Sequence, residues 1–248
     1  MDAKPHPIIS IGNFFFRYRN LVFPLYIGVL FFLFNPPVYA VDGSEFYETV
    51  RDAAGITCAL LGLFVRAIVI GFAYIQRGGL NKKVYAESLV TQGIFALCRN
   101  PLYVGNMLIY LGVFLMFGHW LCLAIGILSF AFIYFSIVAT EEKFLKEKFG
   151  KEYEAYCREV PRWIPRLSRF KEATREIHFD WRKVIERDHG TICGTLGVLV
   201  LIEFWEVLSA YGFKSNEIYI MFLSALCLII ISSVFLARWL KKSGFLGN

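Results

Sequence analysis

Charge is scarce in this sequence. Asp, Glu, Lys and Arg make up 19 % of its 248 residues, below the roughly 25 % usual for soluble domains. Histidine occurs four times. Six cysteines (58, 98, 122, 157, 193 and 227) are scattered singly, with no C-x-x-C pair. That spacing excludes a zinc framework and a secreted disulfide scaffold. Cys58, Cys122, Cys193 and Cys227 sit in apolar stretches and read as small buried residues. No metal site is expected. No internal repeat or low-complexity segment is present, and the composition excludes collagen, coiled coil and disorder. Apolar surface is what abounds. Apolar residues reach 57 %, Phe alone counts 25, and the mean hydropathy is +0.54. A globule of this size cannot hide so much apolar surface from water, whereas a bilayer can.

A membrane-crossing helix needs about 20 mostly apolar residues. Six stretches meet or approach this: 21–41, 55–76, 102–118, 120–139, 191–211 and 217–237. Pro36-Pro37 breaks the first and the third is short. Gly118-His119 joins the third and fourth as a tight hairpin, and His119 reads as a turn residue facing water. The expected fold is therefore all-α, a polytopic membrane protein of about six transmembrane helices with cytoplasmic amphipathic helices and a helical hairpin at 102–139. Positive residues set its orientation. The N-terminal tail, 77–101, 140–190 and the C-terminal tail hold 23 of the 26 Lys and Arg, while 42–54 and 212–216 hold one each. Both termini and the long charged segment are expected in the cytoplasm. A basic start followed by Val38-Tyr39-Ala40 loosely mimics a signal peptide, but the stretch is read as the first span. Trp163, Trp181 and Trp239 flank spans and read as interface markers. The basic 158–187 stretch suits anionic lipid better than nucleic acid.

The chemistry-bearing residues cluster at span ends. Arg99-Asn100-Pro101-Leu102-Tyr103 opens the third span. Pro suits the first helical position and Asn the N-cap. Unpaired N–H groups at a helix start favour a carboxylate or phosphate, and Arg99 adds a fork of donors. Glu141-Glu142 lies where the fourth span leaves the membrane, and the hairpin returns it to the side of Arg99. A ligand carrying both an amino group and a carboxylate could bridge the two, as the amino-acid end of S-adenosylmethionine would. Beyond it Glu142, Leu145, Phe149, Tyr153, Tyr156 and Val160 recur at three or four, as one helical face lying on the membrane surface. Pro161 and Pro165 end that pattern.

These residues resemble a known family. Thr91-Gln92-Gly93-Ile94-Phe95, Arg99-Asn100-Pro101-Leu102-Tyr103-Val104-Gly105, Glu141-Glu142, Phe149-Gly150-x-x-Tyr153-x-x-Tyr156 and Val160-Pro161-Arg162-x-Ile164-Pro165 look like the isoprenylcysteine carboxyl methyltransferase and phospholipid methyltransferase superfamily. The resemblance covers roughly 55–166. It implies an integral-membrane enzyme that takes S-adenosylmethionine from the cytoplasm and a lipid-borne acceptor from the bilayer. It assigns cofactor contact to Glu87, Ser88, Leu89, Val90, Phe95, Asn100, Pro101, Leu102 and Tyr103, and to Glu141 or Glu142. Two departures stand out. Asn100 replaces the family's usual His, and so cannot act as a general base. The stretch 135–140 lacks the Arg that in prenylcysteine enzymes holds the acceptor carboxylate, unless Arg66, Arg99 or Arg162 substitutes. On this reading the chain divides into an N-terminal span and outer loop (1–54), a methyltransferase-like core (55–166), a cytoplasmic linker (167–190) and two C-terminal spans with a tail (191–248).

Three charges fall inside expected spans: Arg66, Glu203 and Glu206. A central charge costs about 2.5–3.5 kcal/mol on the insertion scale, so such residues face partners or a cavity. Arg66 and Glu203 are expected at one depth, as an ion pair between helices, with a role for Arg66 at a lipid headgroup as the alternative. Two other functional readings remain open at this point. One is a sterol-reductase-like membrane reductase using NADPH, which shares a similar Arg-x-Pro-x-Tyr-x-Gly hairpin. The other is a non-enzymatic membrane scaffold or transporter that binds no cofactor.

Overall fold

The computed structural model describes residues 6–34, 45–72, 84–175, 178–215 and 217–243, and these are helical with short connections. Pro36-Pro37 and Val38-Tyr39-Ala40 lie outside the described residues. The helices are α1 (Pro7–Phe34), α2 (Glu45–Phe72), α3 (Pro101–Phe117), α4 (Trp120–Phe149), α5 (Lys151–Glu159), α6 (Phe170–Thr174), α7 (Trp181–Ser215) and α8 (Glu217–Lys242), with short 3-10 turns at Gly93–Ala96 and Leu167–Arg169. Five of them, α1, α2, α4, α7 and α8, are long and apolar enough to cross a membrane, and α3 is a shorter apolar helix. The chain is a polytopic all-helical membrane protein.

Several helices outrun the apolar stretches that announce them. α1 begins at Pro7, so Arg17 and Arg19 are helical and do not belong to a tail. α2 begins at Glu45, which moves Arg66 from mid-span to the last third of its helix. α7 begins at Trp181, ten residues ahead of the apolar run. The cause is general: helix hydrogen bonding continues through charged residues wherever the backbone is free to do so, whereas hydropathy marks only the part that suits lipid.

α2 and α3 pack most closely, because glycines line both sides of the seam. A Cβ on Gly62 would lie 2.6 Å from the Gly105 carbonyl oxygen, and one on Gly55 would lie 2.9 Å from that of Gly112. Small residues let two backbones meet where lipid offers no hydrophobic drive to association. α1 runs antiparallel to α4, with Phe23 edge-on to Phe130 and Tyr26 donating to Ser129 Oγ at 2.6 Å. Phe31 stacks on Phe117 at 4.0 Å between centroids. α7 packs against both α2 and α8.

Gly118 turns the α3–α4 hairpin at φ 79, a left-handed conformation that favours glycine. His119 then caps α4, its Nδ1 accepting from the Cys122 N–H at 3.5 Å. It is thus a helix cap rather than a free turn residue. The face proposed to run from Glu142 to Val160 is interrupted. Gly150, at φ 52, separates α4 from α5, and Tyr153, Tyr156 and Val160 turn inward onto Leu89, Leu145 and Phe149. The reason is that helical spacing survives a kink in sequence but not in space. Trp181 and Trp239 are exposed, as an interface position requires, whereas Trp163 packs on the main core.

The expected Arg66–Glu203 pair does not form. Arg66 pairs with Asp188, and Glu203 accepts instead from the Tyr219 hydroxyl at 2.8 Å. Because α7 starts early, Asp188 is already helical and level with Arg66. Glu203 stands fifteen residues further along, about 22 Å away at 1.5 Å per residue. Glu206 meets Arg51 at 3.3 Å, near the hairpin turn at the other end of the bundle.

Candidate functional site

The N-terminus of α3 collects most of the residues the sequence nominates. The preceding loop is held by the segment after α5. The Arg99 N–H donates to the Pro161 carbonyl at 2.9 Å and the Arg166 N–H to that of Leu97 at 3.0 Å. The Cys98 thiol points at the Trp163 carbonyl at 3.2 Å, and the Tyr156 hydroxyl donates to the Phe95 carbonyl at 2.7 Å. The Val160–Pro165 motif therefore acts as a clamp on the strand of chain that delivers Arg99 and Asn100.

Asn100 precedes α3 as expected but does not cap it with its side chain. Its Nδ2 donates to the Arg162 carbonyl at 3.1 Å. An amide serves this tie as well as an imidazole would, and the α3 N–H groups are left to other acceptors. Pro101 is buried at the first helical position and Leu102 packs towards α2 with Ile94 and Val69.

Glu142 is the hub of charge. Its carboxylate meets Arg162 Nη2 at 2.8 Å and Nε at 3.0 Å, a two-pronged pair, and Arg99 Nη1 at 3.1 Å. Arg99 also donates to the Cys157 sulfur at 2.8 Å. Its Nε is buried without a hydrogen-bond partner. Burial is the largest influence on the Arg99 charge and works against it, but Glu142, Cys157 and Tyr153 together outweigh it and raise the pKa. Burial likewise pushes up the Cys98 thiol and the Tyr153 and Tyr156 phenols, so all three stay protonated near neutrality.

Glu141 belongs to a second, adjoining group. It accepts the Tyr103 hydroxyl at 2.9 Å. Arg19 of α1 faces both that hydroxyl and the Glu141 carboxylate. The two glutamates, neighbours in sequence, thus serve different partners. Arg66 is not with Arg99 and Arg162. It donates to Asn106 and Asp188 instead.

The stretch 87–90 is less engaged. Glu87 and Ser88 are exposed, Val90 is half-buried, and Leu89 packs on Tyr153, Tyr156 and Val160. Lys148 donates to the Ala86 carbonyl, which ties this stretch to the end of α4. Sequence reasoning missed Arg19, Cys157, Asn106, Tyr134 and Asp188. Arg19 and Asp188 lay outside the apolar runs taken as spans, while Asn106 and Tyr134 were hidden within them as single polar residues.

Comparison with known proteins now bears on the same segment. Residues 50–152 match the phospholipid methyltransferase family model. Protein-S-isoprenylcysteine O-methyltransferase of Schizosaccharomyces pombe is 32 % identical over 124 residues, 48 % of this chain and 50 % of that one. Over this segment the chain is similar to the isoprenylcysteine and phospholipid methyltransferase superfamily. Within that superfamily's matched segment lie Arg99, Asn100, Tyr103, Glu141 and Glu142, whereas Arg162 and Asp188 lie beyond it. Two further relatives carry other names. The cobalt-zinc-cadmium resistance protein CzcN of Cupriavidus metallidurans is 34 % identical over 127 residues, 51 % of this chain and 57 % of that one. The nickel-cobalt-cadmium resistance protein NccN of Alcaligenes xylosoxydans xylosoxydans is 29 % identical over 178 residues, 71 % and 77 % respectively. The chain thus spans between about half and three quarters of the length of these curated relatives. No solved structure matches it.

Proposed function

We propose that this protein is an integral-membrane methyltransferase that moves a methyl group from S-adenosylmethionine to a lipid-borne acceptor of isoprenyl or phospholipid type. The observation that carries the reading is the unpartnered, buried Nε of Arg99, beside the Arg99–Glu142–Arg162 cluster at the start of α3. A buried donor left without a partner costs about 1–3 kcal/mol, and a carboxylate would satisfy it. The residues present therefore fit the amino-acid end of the cofactor. Arg99 offers its free donor to the carboxylate. Glu142 is already spent on two arginines, whereas Glu141, which Arg19 faces, carries Tyr103 on one oxygen and keeps the other for an ammonium. Glu141 is thus the acid assigned to that group.

When bound, the cofactor supplies a methyl already activated on a sulfonium. The protein's task is alignment and exclusion of water, which can supply much of the barrier reduction. The α5–clamp layer, with Tyr153, Tyr156 and Val160 buried, closes the site from one side. α3 sets its depth. Seventeen residues span about 25 Å, less than the roughly 30 Å hydrocarbon core. One end of α3 therefore stops short of the surface, where a lipid-borne acceptor entering sideways would meet it. The charge distribution supports a site facing the cytoplasm with both termini on that side. Asn100 offers no general base, so an acceptor already bearing a nucleophilic oxygen or a free amine suits the site.

Calorimetry in detergent with S-adenosylhomocysteine and, separately, NADPH tests the reading. Binding of the first alone is the expected result. Binding of NADPH alone would favour a reductase, and binding of neither would favour a scaffold or transporter.

A further inference from the structure

A second polar chain runs beside this site and through four helices. Asp188 of α7 is fully buried and accepts from Arg66 Nε at 3.1 Å and from its Nη2. Thr191 Oγ1 is 3.3 Å from the same Nη2. On its other side Arg66 donates from Nη1 to the side-chain Oδ1 of Asn106 on α3. The Asn106 amide then donates to the Tyr134 hydroxyl on α4 at 2.9 Å, and the Tyr134 ring stacks with that of Tyr110 at 6.2 Å between centroids. The Tyr134 ring lies 5.0 Å from that of Tyr103, whose hydroxyl holds Glu141. The backbone makes room for this path. A Cβ on Gly105 would come within 2.7 Å of Arg66 Cγ, so the arginine crosses α3 over bare backbone.

The pair is balanced in charge, and so Arg66 has little attraction left for an anionic headgroup. Nor is an ion pair needed to fasten two helices, since a well-packed apolar pair often does so equally well or better. An apolar pair cannot, however, orient an amide. By taking the Asn106 oxygen, Arg66 turns the Asn106 NH2 towards Tyr134.

We propose that Asp188, Arg66 and Asn106 are positioning residues: together they fix Tyr134 and, through its ring, the Tyr103–Glu141 contact. Helix α7, outside the segment that matches the methyltransferase family, thereby takes part in shaping the cofactor site. This inference rests on the methyltransferase reading above.

The test measures S-adenosylhomocysteine affinity by calorimetry and the melting temperature of the detergent-solubilised full chain. Asn106→Ala leaves the Arg66–Asp188 pair whole. It should keep the melting temperature within a few degrees of wild type while weakening the ligand by about tenfold, the upper end for one lost hydrogen bond. The double variant Arg66→Met/Asp188→Leu replaces the pair by apolar side chains. It should recover the stability that Asp188→Asn loses, yet bind as weakly as Asn106→Ala. Glu203→Gln, distant from the chain of contacts, should bind like wild type. Wild-type affinity in Asn106→Ala would overturn the proposal, and so would a double variant that recovers both stability and affinity. A wild-type protein that binds no S-adenosylhomocysteine would instead overturn the methyltransferase reading, and this inference with it.

Discussion

At the scale of single residues, the adjacent acids Glu141 and Glu142 show how position in space divides two identical side chains. Glu142 pairs with both Arg99 and Arg162, while Glu141 faces Tyr103 and Arg19. Their substitutions should therefore fail differently. Glu141→Gln should weaken S-adenosylhomocysteine by roughly 1.5–3 kcal/mol, the range for a hydrogen bond to a charged group, with little change in melting temperature. Glu142→Gln should lower the melting temperature by several degrees, because two arginines lose their counter-charge at once. Calorimetry and thermal unfolding of both variants separate these outcomes, and equal behaviour would refute the division of roles. The pair Glu141-Glu142 was legible in the sequence as a candidate. Which of the two is free was not, because that depends on Arg162 arriving from twenty residues away.

At the scale of helices, the α2–α3 seam carries the second expectation. Gly55 and Gly62 face Gly112 and Gly105, and any Cβ there meets backbone. Gly112→Val should destabilise by about 1–3 kcal/mol, the usual cost of overpacking, read as a lower melting temperature in detergent. Gly194, on α7, has nothing within 4 Å of its added Cβ. Gly194→Ala should be neutral or stabilising by up to about 1 kcal/mol, since alanine is the better helix former. The helices themselves were readable from hydropathy, their ends were not. α7 gains ten residues, five of them charged, and α1 fourteen residues ahead of the apolar runs. Those extensions bring Asp188 to Arg66 and Arg19 to Glu141.

At the scale of the whole molecule, the start of α3, the end of α4, the start of α7 and the end of α8 lie at one end of the bundle. Lys241 near the close of α8 reaches Glu186 at 3.8 Å, and the Asp180 N–H donates to the Gly71 carbonyl at 3.0 Å. Arg51, Asp52 and Glu206 gather at the opposite end, by the hairpin turn. With the basic end in the cytoplasm, as the positive charges favour, a cysteine placed at Phe46 in a cysteine-free background should react with an impermeant maleimide added outside intact cells. One placed at Lys171 should react only after permeabilisation. The reverse pattern would invert the orientation and put the cofactor site on the wrong side for a cytoplasmic ligand.

The sequence by itself determined that this chain is helical and lives in a membrane, because hydropathy is additive along the chain and needs no partner to be read. It also carried the resemblance to the methyltransferase superfamily, since Arg99–Tyr103, Glu141-Glu142 and Val160–Pro165 follow that family's order and spacing. Only the tertiary structure decided who meets whom. Arg66 chose Asp188 over Glu203, Asn100 gave its side chain to the Arg162 carbonyl instead of its own helix, and Gly150 folded a continuous-looking face into two. Each of these turns on a long-range contact or a single backbone angle, and neither leaves a periodic trace in the order of residues.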